Sequence, residues 1–232
     1  MEATQPQTAA KPRNNRDRII EATVALLNEF GEAGVGTGRI SQVLGISPGN
    51  LYYHFKNRQE IVRAIFPRIE SGLEAALTPA PDADGAELLA RHYMGGFRIM
   101  YEYRFFFCGL PQLLGSDDEL RRDYLRLEAA SLLRIRSIIE TSLAYGQPPR
   151  RPTPVELEQV TTNTWMVFLS WLNFVCLRKS SAEVAFDDVA SGLQHVFGLL
   201  APWLDDSYSR SVASELERMF QIEKQNQRAG SL

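Results

Sequence analysis

The residues of this chain whose types and spacing could do chemistry are concentrated in one short segment, GISPGNLYYHFKN (residues 45–57). Tyrosine, asparagine, histidine and lysine side chains hydrogen-bond phosphate oxygens and the edges of nucleic-acid bases. Gly49, near the start of the helix predicted here, keeps side-chain bulk away from backbone amides that can approach a phosphate. The segment therefore has the composition of a surface that contacts a nucleic acid.

The spacing within this segment separates a buried face from an exposed one. Ser47 is a favourable N-cap, and Pro48 suits the first helical position, where no backbone donor is needed. At about 100° per residue, Leu51 and Phe55 share one side of the helix and face a core. The opposite side is led by Tyr53, whose neighbours are Gly49, Asn50 and Lys56, with Tyr52 and His54 at the borders. A capped surface helix with a half-buried Tyr52 is the alternative interpretation.

Two further predicted helices place this segment in a helix-turn-helix. Apolar residues recur at helical spacing over residues 16–30, and glycines follow that end the first helix. A second helix begins with Thr37 as its N-cap and ends at Gly45. This helix, a short turn and helix 48–55 have the spacing of a helix-turn-helix, in which the last helix enters the major groove of DNA.

Charge is distributed unevenly along the chain. The net charge of −3 argues by itself against a nucleic-acid binder. Residues 11–66, however, carry eight Lys and Arg against five acidic residues, whereas residues 67–232 carry seventeen against twenty-two. A polyanionic partner is therefore expected at the N-terminal part. Four cations in and after the N-terminal arm can add phosphate or minor-groove contacts, namely Lys11, Arg13, Arg16 and Arg18.

The whole chain is predicted to be all-α. Helical periodicity extends over residues 58–77, 86–107, 117–145, 155–178, 186–203 and 207–226. Pro67 is expected to bend the first of these helices. No window has the bounded alternation of β-branched residues that marks a strand. We predict three parts: a flexible arm (1–13), a three-helix helix-turn-helix domain (14–62) and a larger C-terminal helical domain for ligand binding and dimerisation (63–232).

Enzymatic chemistry finds no support in the residue pattern. The three histidines are scattered, without the spacing of a metal site, at His54, His92 and His195. Pairs of acidic residues precede helical patterns, where N-capping and the helix dipole explain them. We therefore expect no enzymatic activity, no cofactor and no bound metal.

The chain is expected in the cytoplasm, without membrane contact. Its first residues lack the apolar core of a signal peptide. The longest nearly apolar run, residues 165–177, is shorter than the ~18 residues that a membrane span requires. Cys108 and Cys176 lie on separate apolar segments and form no disulfide framework. We interpret them as buried thiols in a reducing compartment, and a redox role for either stays open.

The helix-turn-helix region resembles a known family. RDRIIEATVALLNEFG (16–31), followed by ISQVLGISPGNLYYHFKNRQEI (40–61), is similar to the N-terminal domain of the tetracycline-repressor (TetR/AcrR) family of bacterial regulators. The resemblance covers about residues 14–62 and implies that helix 48–55 is the recognition helix. The residues that it brings to DNA are Ser47, Gly49, Asn50, Tyr52, Tyr53 and His54, with Thr37 on a phosphate and Lys56 and Arg58 at the start of the next helix.

Regulators that resemble this chain carry a helical domain that receives a ligand and forms a dimer. Segments 91–110 and 164–176 are dense in aromatic residues, which line pockets for apolar ligands. The candidates are Tyr93, Phe97, Tyr101, Phe105, Trp165, Met166 and Trp171, with His92, Asn163 and Asn173 as polar groups. Core or dimer packing is the alternative interpretation of these aromatic stripes.

The dimer is expected to use helices 155–178 and 186–203, whose apolar faces are broad. Two such helices from each subunit would form a four-helix contact, as the resemblance implies. The candidate contact residues are Phe168, Leu172, Val189, Leu193, Val196, Phe197 and Leu200.

The resulting prediction is a ligand-responsive, sequence-specific DNA-binding transcriptional regulator that acts as a repressor. It binds a near-palindromic operator in double-stranded DNA as a homodimer, and a small, largely apolar effector releases or alters it. A helical scaffolding protein is one alternative, but it leaves Asn50, Tyr53 and Lys56 without a purpose. An activator without small-molecule induction is the other.

Overall fold

A computed structural model describes residues 14–79, 85–148, 150–179 and 184–230. Those residues form twelve α-helices and one short 3₁₀ helix, with no strand among them, which confirms the all-α prediction. The predicted flexible arm, residues 1–13, lies outside the described residues. None of the helices in these ranges is long and apolar enough to cross a membrane.

The helices follow one another along the chain with short connections. The first four are α1 (Asn15–Phe30), α2 (Thr37–Leu44), α3 (Pro48–His54) and α4 (Arg58–Ala76). The middle of the chain forms α5 (Gly85–Glu102), α6 (Arg104–Cys108), α7 (Leu110–Ser116) and α8 (Asp118–Tyr145). The last helices are α9 (Pro154–Cys176), α10 (Phe186–Ala190), α11 (Gly192–Leu200), the 3₁₀ helix Ala201–Trp203 and α12 (Asp206–Gly230).

Local sequence fixes where the first three helices begin and end. Asn14 caps α1 by accepting a hydrogen bond from a first-turn amide at 2.6 Å. Gly31 and Gly45 end α1 and α2 with φ of 68° and 64°, a region that favours glycine. Ser47 caps α3 by accepting a hydrogen bond from the Asn50 amide at 3.2 Å.

The first four helices pack as a unit around aliphatic side chains. α1 contacts both α2 and α4, and α2 contacts α3. Each aliphatic side chain buried there contributes roughly 1.5–3 kcal/mol relative to leaving it exposed. This shared core orients α2 and α3 relative to each other, and its fully buried members are Ile19, Ile20, Leu27, Ile40, Leu51, Ile61 and Ile65.

Several predicted boundaries differ from the structure. Thr37 is the first residue of α2, and the N-cap is Gly36, which offers no side chain to the first-turn amides. The helix predicted over 86–107 divides into α5 and α6 at Tyr103, whose ψ of 37° is not helical. The helix predicted over 186–203 likewise divides into α10, α11 and the 3₁₀ helix, and α7 lies between the helices predicted over 86–107 and 117–145.

One helix connects the helix-turn-helix to the rest of the chain. α4 runs without interruption across residue 62, where the predicted domain boundary falls, and through Pro67. It packs on α1 and also on α5 and α8. An ion pair of 3.1 Å between Arg63 and Asp117, the N-cap of α8, ties the two parts together. A displacement of α4 would therefore move both the helix-turn-helix and the C-terminal helices that pack on it.

A buried asparagine fixes α1 to the junction of α5 and α6. Asn28 donates from Nδ2 to the Glu102 carbonyl at 2.7 Å, and its Oδ1 accepts a hydrogen bond from the Phe105 amide at 3.0 Å. The side chain is 8% exposed. Because the helix breaks at Tyr103, these two backbone groups need partners, and Asn28 supplies both.

Replacing Asn28 with alanine should lower the free energy of unfolding by about 1–3 kcal/mol, because a buried amide and carbonyl lose their partner. Asn226→Ala is the matched control, since Asn226 is exposed on α12 and undergoes the same change in helix propensity. Urea unfolding followed by circular dichroism, at equal protein concentrations, measures both variants. Equal losses in the two variants would contradict the assigned role of Asn28.

Candidate nucleic-acid interface and interior cavity

α3 presents its two tyrosines to solvent and buries the residues beneath them. Leu51 is 0% and Phe55 3% exposed, whereas Tyr53 is 85% and Tyr52 53% exposed. His54, at the other border, is half-buried. The remaining exposed residues of this face are Gly49, Asn50 and Lys56. The predicted division of α3 into a core side and a solvent side is thus confirmed.

Contacts with α1 and α2 hold the exposed face in place. The Tyr52 Oη lies 3.3 Å from the Thr37 Oγ1, which joins α3 to the first residue of α2. The Arg16 guanidinium lies over the Phe55 ring, 5.1 Å from its centroid. This cation–π contact places a positive charge of α1 beside the end of α3.

The polar groups on this face keep hydrogen-bonding capacity for a partner. The Lys56 ammonium pairs with no carboxylate in the described ranges, and its backbone amide donates to Glu60 Oε2 at 2.8 Å. Tyr53 packs edge-on against His54, with ring centroids 5.1 Å apart, and its hydroxyl bonds to no described residue. The face therefore offers a phenol, an amide and an ammonium on a rigid base.

Two of the predicted contact residues stand at the start of α3. Ser47 uses its hydroxyl to cap the helix. A Cβ at Gly49 would meet only the Ser47 Oγ, at 3.9 Å, so no packing within the chain requires a glycine there. The absence of a side chain at Gly49 instead leaves room for a partner to approach α3.

Arg58, one of the predicted DNA contacts, forms hydrogen bonds within the chain. Its Nη1 donates to the main-chain carbonyls of Glu32 and Val35, the latter at 3.2 Å. Both carbonyls lie in the connection between α1 and α2. Because the side chain is half-buried and its donor is committed there, Arg58 stabilises this connection.

A cavity lies between the C-terminal end of α4 and helices α5, α8, α9 and α11. Its volume is about 40 Å³. His92, Tyr93 and Thr164 line it, and each carries one buried polar atom without a hydrogen-bond partner among the described residues: His92 Nε2, Tyr93 Oη and Thr164 Oγ1. Buried polar atoms are normally paired, so three unpaired ones in one cavity indicate a place for a partner. The apolar lining comprises Leu73, Leu77, Phe97, Ile135, Ile138, Ile139, Trp165, Phe168 and Val196.

The protonation of His92 follows from its surroundings. His92 Nδ1 lies 2.7 Å from the carbonyl of Ala76, the last residue of α4, so Nδ1 carries the hydrogen and Nε2 is an acceptor. Burial lowers the pKa of His92 below its usual value, and the bond to Ala76 opposes this only in part. The ring is therefore neutral at pH 7. The residues that line the cavity thus carry one acceptor nitrogen and two hydroxyls, all buried.

Four of the ten residues predicted to bind a ligand line this cavity, namely His92, Tyr93, Phe97 and Trp165. The other six lie outside its lining. Asn163 and Met166 face solvent. Trp171 and Asn173 donate hydrogen bonds to main-chain carbonyls. Tyr101 and Phe105 pack against other aromatic rings.

The aliphatic part of the lining and one hydroxyl were not among the residues predicted to bind a ligand. The aliphatic residues come from α4 and α8, and the hydroxyl comes from α9. These residues are Leu73 and Leu77, then Ile135, Ile138 and Ile139, and finally Thr164. Their helical periodicity marks them as core positions. Periodicity gives no sign of which core positions border a void, so no sequence signal separates them from other core residues.

Six of the seven residues predicted at the dimer interface lie inside the chain's own core: Phe168, Leu172, Val189, Leu193, Val196 and Leu200. α9 and α11 pack against each other within one chain, so their apolar faces are already covered. Only Phe197 is half-buried. The six are core residues rather than dimer contacts. The large apolar residues that α9 leaves exposed are Val155, Met166 and Phe174.

Two sequence-family models match the chain. Residues 19–65 match the family described as "Bacterial regulatory proteins, tetR family". Residues 68–212 match the TetR model, described as "Bacterial transcriptional repressor". The second match covers more than half of the chain, and the two together reach from α1 into α12.

Individual relatives match over a shorter length. The tetracycline repressor protein class D of Escherichia coli is 33% identical over 92 residues, which are 40% of this chain and 42% of that protein. The nucleoid occlusion factor SlmA of Glaesserella parasuis is 30% identical over 87 residues, which are 37% of this chain and 42% of that protein. The chain thus spans about two fifths of the length of these relatives.

Solved structures match over most of the chain. A TetR-family transcriptional regulator from Marinobacter aquaeolei VT8 superposes with a TM-score of 0.78 at 29% identity, covering 89% of this chain and 98% of that chain. The TetR-family regulator PfmR from Thermus thermophilus gives a TM-score of 0.59 at 24% identity, covering 80% and 98%. The second likeness shows the fold alone, and both extend well beyond the helix-turn-helix.

Proposed function

Because the chain belongs to the TetR family of bacterial transcriptional regulators, we propose that it is a repressor that binds operator DNA as a homodimer. We further propose that it responds to a small, largely apolar effector. The observation that carries the DNA-binding part is the outward face of α3, where Tyr53 is 85% exposed over a buried Leu51 and Phe55. A scaffolding protein would gain nothing from such a face.

In the proposed complex with DNA, α3 lies in the major groove. Tyr53 and Asn50 are positioned to hydrogen-bond base edges and phosphate oxygens. Lys56, with the exposed Arg16 and Arg18 of α1, supplies phosphate contacts beside the groove. Thr37 stays a candidate phosphate contact, and its bond to Tyr52 aligns α2 with α3. A two-fold dimer would bring two copies of α3 to half-sites ~34–36 Å apart on a near-palindromic operator.

The proposed dimer contact uses surface that the single chain leaves uncovered. Val155, Met166 and Phe174 of α9 are 64%, 56% and 43% exposed. At about 100° per residue they fall within one side of the helix. Exposed apolar side chains that share one helix face are typical of subunit contacts. This face replaces the buried residues first predicted for the dimer.

Met166→Glu should weaken the dimer by about tenfold or more in its dissociation constant, because it places a charge in the apolar contact. Leu133→Glu is the control, since Leu133 of α8 is 72% exposed and lies outside the proposed contact. Sedimentation velocity over a concentration series measures both variants. If Met166→Glu dimerises as well as Leu133→Glu, the proposed dimer face is wrong.

The effector is proposed to act by opening the interior cavity. About 40 Å³ is far below the roughly 300–1,000 Å³ of sites that take a drug-sized ligand. Binding therefore requires α4, α8 and α9 to separate, and the effector favours that open arrangement. Leu73 and Leu77 of α4 line the cavity, and the Ala76 carbonyl bonds to His92. Displacement of α4 would change the spacing of the two α3 helices.

Mobility-shift titrations on the DNA upstream of the protein's own gene test the proposed function. We expect a discrete complex whose affinity falls steeply with salt, because phosphate contacts release counterions. Binding that is equally weak on unrelated DNA of the same length would contradict the proposal. A thermal-shift screen of small apolar compounds tests the effector part, since a ligand that binds the folded chain raises its melting temperature.

A further inference from the structure

Two cysteines that are distant in sequence lie next to each other. Cys108 ends α6 and Cys176 ends α9, and their Sγ atoms are 2.9 Å apart. Both are free thiols, as predicted, but they are half-buried rather than buried. A disulfide bond is about 2.05 Å long, so an approach of about 1 Å would join them.

The surroundings make the two sulfurs chemically unequal. Either Sγ can donate to the other. When Cys108 is the donor, this hydrogen bond lowers the pKa of Cys176 and raises that of Cys108. The Arg104 guanidinium, positioned by its bond to the Tyr101 carbonyl at 3.1 Å, lowers both. Burial raises both and also raises the pKa of Glu32, the carboxyl that borders the same groove. Cys176 is thus the thiolate-forming member of the pair.

A small oxidant can reach this pair. Both cysteines, Arg104 and Glu32 line a groove of about 290 Å³ between the end of α1, α6, α7 and the end of α9. A peroxide molecule is much smaller than this groove. A thiolate held beside a second thiol and reachable from solvent is the arrangement of a redox-sensitive cysteine pair.

We propose that Cys108 and Cys176 are a peroxide-reactive pair whose disulfide closes a regulatory switch. The Cys176 thiolate attacks one oxygen of hydrogen peroxide, the O–O bond breaks, and the other oxygen leaves as hydroxide, which takes up a proton to become water. The Cys176 sulfenic acid is then attacked by the Cys108 sulfur, which loses its proton. An S–S bond forms and a second water leaves. Two thiols are oxidised and one peroxide is reduced to two waters.

The switch part rests on the proposed DNA-binding function. α6 is short, and its first turn holds α1 through the bond between the Phe105 amide and Asn28. Drawing Cys108 toward Cys176 therefore displaces α6 relative to α1, the first helix of the helix-turn-helix. We expect operator affinity to fall by about fivefold or more on oxidation, the lower end of ordinary coupling between sites.

Peptide mass mapping of the full-length protein tests the disulfide. After stoichiometric hydrogen peroxide, the peptides carrying Cys108 and Cys176 should be recovered joined, with the loss of two hydrogens, and dithiothreitol should separate them. Thiols that stay free, that oxidise without being joined, or that link only between two chains would overturn the proposal.

Two serine variants test the order of events. In Cys108→Ser the reaction should stop at a sulfenic acid on Cys176 that dimedone labels. In Cys176→Ser, Cys108 should remain largely unlabelled. Labelling of Cys108 in preference to Cys176 would overturn the assigned roles, and circular dichroism confirms that both variants fold.

Titration of operator DNA with reduced and oxidised wild type tests the switch, with Cys108→Ser as the variant that cannot form the disulfide. Unchanged affinity in a protein shown to be joined would overturn the switch. If the reduced protein forms no specific complex, the proposed function is wrong and the switch falls with it, whereas the mass mapping still decides the disulfide chemistry.

Discussion

Replacing Tyr53 and Lys56 together with alanine should weaken specific DNA binding by about 30-fold or more. Each subunit would lose a groove contact and a phosphate contact, and together these cost about 2 kcal/mol or more in the dimer. Because Tyr53 is 85% exposed and Lys56 lies on the surface, the fold should not change. Fluorescence anisotropy with operator DNA, at fixed salt, measures the loss.

The control for this variant removes the same kinds of group elsewhere. Leu133→Ala with Arg151→Ala takes away one exposed bulky side chain and one cation, so the net charge matches. Its affinity should stay within about twofold of wild type, since surface substitutions away from an interface have little effect. Lys56→Ala alone should lower the salt slope by about one per subunit. Equal affinities for the two double variants would show that α3 is not the recognition helix.

Replacing Phe97 with alanine should lower the free energy of unfolding by about 3–5 kcal/mol, the cost of emptying a buried aromatic site. Phe97 is 1% exposed, and its ring meets Phe168 edge-on with centroids 5.6 Å apart. Both rings line the interior cavity. Urea unfolding followed by circular dichroism measures the loss.

The same variant tests whether the cavity accepts a ligand. Truncation enlarges the cavity, so a small apolar compound such as indole should raise the melting temperature of Phe97→Ala more than that of wild type. Leu133→Ala is the control, because Leu133 is 72% exposed and lies outside both the cavity lining and the proposed dimer contact. It should lose about 1 kcal/mol or less and gain no response to indole. A similar response in both variants would remove the cavity as the effector site.

The orientation of α3 was predictable because every determinant is local. The cap at Ser47, the proline at the first position and the i, i+4 pair Leu51 and Phe55 lie within nine residues. Helix caps and helical spacing act over that range. The exposed position of Tyr53 followed directly.

Arg58 and the cysteines were not predictable because their partners are distant in sequence. Arg58 bonds to a carbonyl 26 residues away, and the two thiols are separated by 68 residues. A cation after a recognition helix and two cysteines on apolar segments carry no sign of these contacts. Only the packing of α1 and α9 against the helices between them brings the groups together.

Most of the predicted dimer residues, and six of the ten predicted ligand residues, lie elsewhere in the structure for a related reason. An apolar stripe indicates that one face of a helix is buried, but it does not show whether the same chain or a partner chain buries it. Leu172 and Val189 are buried by the same chain, and both are 0% exposed. The aromatic residues drew attention to the cavity from one side, whereas Leu73, Ile135 and Ile138 border it from the other as ordinary core positions.

Selection of bound sequences from a random duplex DNA library, with the full-length protein kept reduced, tests the central claim most directly. If α3 reads DNA in a two-fold dimer, the enriched sequences should share a near-palindrome. Its half-site centres should lie about 10–10.5 base pairs, or a multiple of that, apart. Protein carrying Tyr53→Ala and Lys56→Ala should not enrich it. A bound pool without a shared motif, or with a motif that the double variant enriches equally, would contradict the claim.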